Sequence, residues 1–135
     1  MAEQGYRALT VAAAALTDAV AVVLFCTAGR RSHAEGLTVA GIAGTAWPFL
    51  VGALAGWLIA RGWRRPLAVT PTGLVIWVVT VPVGMLLRAA TGQGVAAAFW
   101  VVATLSTGVL LLGWRLAVAL TSRRRGPGRT EPVVL

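Results

Sequence analysis

Lysine is absent from this chain, acids number four and cysteine only one, and each scarcity narrows what the protein can be. Charged residues are 12% of the 135, about half the share of a soluble domain, which must cover its core with polar surface. With 58% hydrophobic residues and a mean hydropathy of +0.81, lipid has to solvate most side chains. The lone Cys26 excludes an intramolecular disulfide and a cysteine metal cluster. It does not suit a lipoprotein anchor either, because Phe25 before it is too large for the cleavage site. The first apolar run is longer than the roughly 7–15-residue core of a cleaved signal and closes on no clean small-x-small site. All 12 basic residues are arginine, which fits a high-GC coding bias better than a function.

The single histidine, His33, has no acid, nucleophile or cysteine at a diagnostic spacing. A catalytic constellation therefore has little support, and no metal or cofactor is expected. A net charge of +8 would suit nucleic acid. The arginines, however, stand at the ends of apolar runs, where positive charge orients helices in a membrane. The expected partner is the lipid bilayer, with no nucleic acid.

Four apolar runs are each near the ~20 residues a transmembrane helix needs. The expectation is all-α: a polar lead over 1–7, a membrane domain over 8–120 and a disordered basic tail over 121–135. The spans fall at about 8–28, 37–60, 72–90 and 95–120. Placing both termini in the cytoplasm puts nine arginines inside and three outside, Arg30, Arg31 and Arg88. That bias predicts a multi-pass protein of the cytoplasmic (inner) membrane, with Trp57, Trp63 and Trp114 at its inner interface. Gly52 and Gly56 form a GxxxG pair that lets helices approach closely, for bundle packing or for a dimer seam. A faint repeat pairs Gly56-Trp57 with Gly113-Trp114, each ahead of arginines.

Asp18 is the most informative residue. Counted from the start of its span it lies roughly 15 Å deep, near the midplane. An acid there costs about 2.5–3.5 kcal/mol to insert, so it takes a proton unless a cation pairs with it. Its neighbours one turn away, Ala14, Ala15, Ala21 and Val22, are small enough for another helix to approach, so it should face the bundle. The same depth on the other spans holds Thr45 and Pro48, Thr80 and Pro82, and Thr104. Pro48 and Pro82 each deprive a carbonyl of its helical partner. This layer is either a substrate or proton site, as in transporters built from interrupted helices, or ordinary structural glue. Arg88 is the natural counter-charge; it could snorkel outward, pair with Glu35, or reach Asp18. Arg30, Arg31 and His33 form, with Glu35 and Arg88, an outer surface for an anion or for lipid headgroups.

The segments Gly29-Arg30-Arg31-Ser32-His33-x-Glu35-Gly36, Ala46-Trp47-Pro48-Phe49, Gly56-Trp57 and Arg64-Arg65-Pro66 resemble a family of small prokaryotic membrane proteins, domain of unknown function number three thousand and fifty-four. The likeness covers about residues 10 to 118. It implies a four-helix membrane fold and no established activity. Small multidrug exporters and small fluoride channels share the architecture without these motifs. The expected function is a small proton- or ion-coupled transporter or channel-like protein that could form a homo-oligomer, with Asp18 handling the proton or cation. The alternative is an accessory or scaffold subunit of a membrane complex; a lipid-modifying enzyme is a distant third.

Overall fold

The computed structural model of the chain describes residues 2–32 and 36–125. Among these residues four helices run up and down: α1 (Ala2–Ser32), α2 (Val39–Ala60), α3 (Leu74–Ala90) and α4 (Ala97–Arg125). All four crossing segments are long and apolar enough to span a bilayer, the third once the turn at 69–73 is counted with α3. The loops after α1 and α3 share one end of the bundle, the hairpin end. The N-terminal turns, the α2–α3 connector and the last turns of α4 share the other, the termini end.

Several boundaries differ from expectation: α1 runs on to Ser32 where its span was expected to end at about 28, α2 and α4 begin two residues late, and two polar ends are helical. Residues 2–7, expected as a polar lead, are the first turns of α1, where the good helix formers Ala2, Glu3 and Gln4 outweigh the single Gly5. Residues 121–125, expected in a disordered tail, continue α4 to Arg125, and residues 126–135 lie outside the described residues.

α2 begins at a cap: the Thr38 hydroxyl accepts from the Gly41 N–H at 3.0 Å. It ends in a left-handed residue, Arg61 (φ 51°), after which the Gly62 N–H donates to the Trp57 carbonyl at 2.9 Å. A Cβ on Gly62 would collide with the Trp57 indole, so glycine here lets the chain turn across that ring. The connector leads into a wide π-helical turn, Val69–Gly73, with Thr70 extended and a cis Thr70–Pro71 bond. The Gly73 N–H closes it on the Ala68 carbonyl at 3.0 Å.

α2 and α3 are the most intimate pair. A Cβ on Gly52 would stand 2.5 Å from the Thr80 carbonyl oxygen, and one on Gly56 2.8 Å from the Ile76 Cα. Gly84 returns the favour on α3, leaving room for the Phe49 ring. The GxxxG pair is therefore buried within the chain, against α3. α1 and α4 touch far less than α2 and α3 do. Two apolar clusters fill the interior. One, nearer the hairpin end, includes Val22, Phe25, Phe49 and Met85; the other, nearer the termini end, includes Ala14, Ala21, Trp57 and Ile76.

Gly52→Ala should lower stability by about 1–3 kcal/mol, the usual range for overpacking a close contact. Gly44→Ala should leave it unchanged, since a Cβ there meets nothing within 4 Å. Reversible denaturation in mixed micelles checks the pair.

Candidate functional site

Two polar assemblies occupy the two ends of the bundle. Toward the termini end, Asp18 of α1 is almost fully buried, at 1% exposure, and Arg115 of α4 is at 0%. The guanidinium meets the carboxylate as a fork, one terminal nitrogen donating to Oδ1 at 2.8 Å and the other to Oδ2 at 2.7 Å. Two indoles complete the shell: Trp57 Nε1 donates to Oδ2 at 2.8 Å and Trp114 Nε1 to Oδ1 at 2.9 Å. Each carboxylate oxygen thus accepts two donors. The arginine is held in turn: Nε donates to the Pro66 carbonyl at 3.0 Å and a terminal nitrogen to the Leu111 carbonyl at 3.1 Å. Its guanidinium lies 4.4 Å over the Trp114 ring, a cation–π contact. Gly73 makes room for the arginine stem, for a Cβ there would come 2.9 Å from the Arg115 Cδ.

This clasp joins α1, α2, α4 and the connector. Among the described residues no buried side-chain nitrogen or oxygen lacks a hydrogen bond. The expectation that Asp18 faces the bundle holds. Its expected partners do not: the counter-charge is Arg115, not Arg88. Thr45, Thr80 and Thr104 bond back to the carbonyls of Gly41, Ile76 and Trp100 in their own helices, at 3.2, 2.6 and 2.7 Å. Pro48 is buried and Pro82 exposed, so the prolines share no chamber with the acid. The depth count failed because α1 starts at Ala2, which slides Asp18 to the level of Trp57, three residues before the end of α2. Trp57 and Trp114, expected as interfacial anchors, instead turn their N–H groups inward. Arg115 was legible as one polar residue inside an apolar span. It was hidden among the other arginines of that end, and the two residues lie at different distances from their helix ends, 16 residues for Asp18 and 10 for Arg115, so depth counting did not pair them.

At the hairpin end, a cleft of about 590 Å³ opens between the helix ends. Phe25 and Phe99 line it, and Phe49 packs behind them at ring-centroid distances of 5.7 and 6.1 Å. Arg30, Arg88, Thr45 and Gln93 supply its polar wall. Arg30 Nε donates to the Gly36 carbonyl at 2.8 Å and a terminal nitrogen to Thr45 Oγ1 at 3.0 Å. Arg88 repeats the device in the second hairpin: Nε donates to the Gly94 carbonyl at 3.0 Å and a terminal nitrogen to Gln93 Oε1 at 2.9 Å. In both hairpins the accepting glycine lies six residues after the arginine. Arg88 also sits 4.5 Å over the Phe99 ring. Of the expected outer surface, then, Arg30 and Arg88 share one cleft, and Arg31 is exposed outside it. His33 and Glu35 lie outside the described residues. Among the described residues no cluster of side chains could hold a metal ion.

Breaking the clasp from one side leaves a buried charge unpaired. Asp18→Asn or Arg115→Met should each cost about 3–5 kcal/mol, whereas Asp18→Leu combined with Arg115→Met should recover most of the loss. A double-mutant cycle on unfolding free energy in micelles measures the coupling.

No match was found among curated proteins or among solved structures. A match was found to one family, described as "Protein of unknown function (DUF3054)", over residues 15–118. That segment holds both arginines of the cleft and every side chain of the clasp, and on it the chain belongs to the DUF3054 family.

Proposed function

We propose that this protein is a small transporter of the cytoplasmic membrane that takes a solute into the hairpin-end cleft and passes it through the bundle. The observation that carries this reading is the contrast between the ends. One holds an open cleft with fixed charges, and the other is shut by a fully satisfied ion pair and two indoles. That contrast is what an alternating-access protein needs in a state open to one side. α2 and α3 form the rigid pair, while α1 and α4 touch less and are tied by the clasp. Separating Asp18 from Arg115 would open the termini end at that seam. Asp18 then acts as part of a gate, its carboxylate held by four donors from α2 and α4. The excess of arginines at the termini end, even without the buried Arg115, supports termini in the cytoplasm and a cleft on the outer face. A second copy of the chain would pack on a face other than the GxxxG pair, which is already used on α3.

The saturated clasp also favours a second reading, an accessory subunit in which the pair serves only to hold four helices in one arrangement.

Proteoliposome flux separates the two. Wild-type protein should show saturable uptake of at least one solute from a panel of anions, cations and neutral compounds. The Asp18→Leu, Arg115→Met double variant should stay folded and change that flux by at least about tenfold, a barrier change of about 1.4 kcal/mol. Ligand binding at the cleft with no flux in either protein would favour the accessory reading.

A further inference from the structure

The segment between the second and third crossing helices, residues 61–68, is short, basic and held in one shape. Its backbone makes two successive tight turns: the Arg64 N–H donates to the Arg61 carbonyl at 2.9 Å, and the Ala68 N–H to the Arg65 carbonyl at 3.2 Å. Pro66 stands second in the later turn, where its fixed φ suits the geometry. Two bonds from other helices tie the segment down. Arg115 of α4 donates to the Pro66 carbonyl at 3.0 Å, and Arg7 of α1 to the Arg64 carbonyl at 3.4 Å. On this base Arg61, Arg64 and Arg65 are exposed, with the exposed Arg7 beside them. Trp63 and Leu67, in the same two turns, are exposed as well, at 44% and 38%. The connector contains no acid, and among the described residues none of these four arginines forms an ion pair.

We propose that the α2–α3 connector is a binding site for anionic phospholipid, at the leaflet the termini end faces. The phosphates lie against the guanidinium groups of Arg61, Arg64 and Arg65, with Arg7 at the edge, and the glycerol and upper acyl region against Trp63 and Leu67. Gathered like charges draw a polyanion, and the apolar pair beside them decides which kind. The segment starts one residue after the apolar α2 ends, so its charges stand at the level of lipid headgroups. An indole, apolar in body and polar at its N–H, suits that level. A phospholipid supplies both halves at once, an oxyanion for the arginine forks and hydrocarbon for the apolar side chains.

The test places the full-length protein in phosphatidylcholine vesicles doped with spin-labelled phosphatidylglycerol or spin-labelled phosphatidylcholine. Electron spin resonance then reads the lipid immobilised on the protein. Phosphatidylglycerol should be preferred by at least about fivefold, the factor that one arginine near an anionic surface supplies. Arg61→Gln, Arg64→Gln and Arg65→Gln combined should bring the preference below about twofold. The same three positions changed to lysine keep their charge and should keep most of the preference, which separates lost recognition from lost folding. Arg31→Gln, at an exposed arginine of the hairpin end, should change nothing. No preference in the wild type, a preference that survives the glutamine variant, or an equal loss in Arg31→Gln would overturn the site. So would an acidic peptide or single-stranded oligonucleotide that binds the wild type but not the glutamine variant while phosphatidylglycerol is not preferred, for the connector would then serve a soluble polyanion. The site is independent of the transport reading. Lipid preference without flux leaves it standing, and flux without lipid preference sinks it alone.

Discussion

The arrangement of the four helices depends on one buried carboxylate. An unpaired charge in a bilayer interior is expensive, so Asp18 dictates where its donors must be. Arg115 supplies a fork from α4, Trp57 an N–H from α2, and Trp114 another from α4. The arginine then fixes the connector by its bond to the Pro66 carbonyl. Lipid tails give no hydrophobic drive for helices to associate, so a polar tie of this kind decides which helix faces which. α2 and α3 need no such tie, because Gly52 and Gly56 let backbone meet backbone and Gly84 admits the Phe49 ring. α1 and α4 lack an equally close seam. The clasp stands where packing is thinnest, which is where a bundle either needs a staple or keeps a gate.

The hairpin end obeys a different constraint. Arg30 and Arg88 are only partly buried, and each is bonded to the loop that follows its own helix. These bonds serve the helix termini, whose last carbonyls favour a nearby cation. They also hold two charges beside an aromatic cleft, and Arg88 gains a face-on contact with Phe99. The same residues thus stabilise the turns and shape the cleft.

The spans were legible because length and hydropathy are direct consequences of bilayer thickness. The inward direction of Asp18 was legible as well, from Ala14, Ala21 and Val22, all of which are buried. The partner of Asp18 was not. Depth counting assumes that every helix starts at the membrane surface, yet α1 has 31 residues and α2 has 22. Composition also gives an arginine that orients a span and an arginine buried in an ion pair the same appearance. Arg115 was counted with the first kind and belongs to the second. The π-helical turn at Val69–Gly73 left only Pro71 and Gly73 as traces, which any loop before a span could carry. Its role becomes visible once the stem of Arg115 is seen passing Gly73.

The repeat noticed in Gly56-Trp57 and Gly113-Trp114 gains weight from geometry, since both indoles converge on the same carboxylate. The hairpin arginines show the same relation through their matching carbonyl bonds. In scaffolding, then, the two halves agree. In charge they do not, because the acid of the clasp comes from the first half and the arginine from the second. A bundle of two equivalent hairpins could associate in more than one way, and packing alone would separate the alternatives weakly. One acid and one arginine in unlike positions remove that degeneracy: only the arrangement that brings α1 to α4 buries both charges paired. The asymmetry of a single ion pair is what converts a near-repeat into one defined structure.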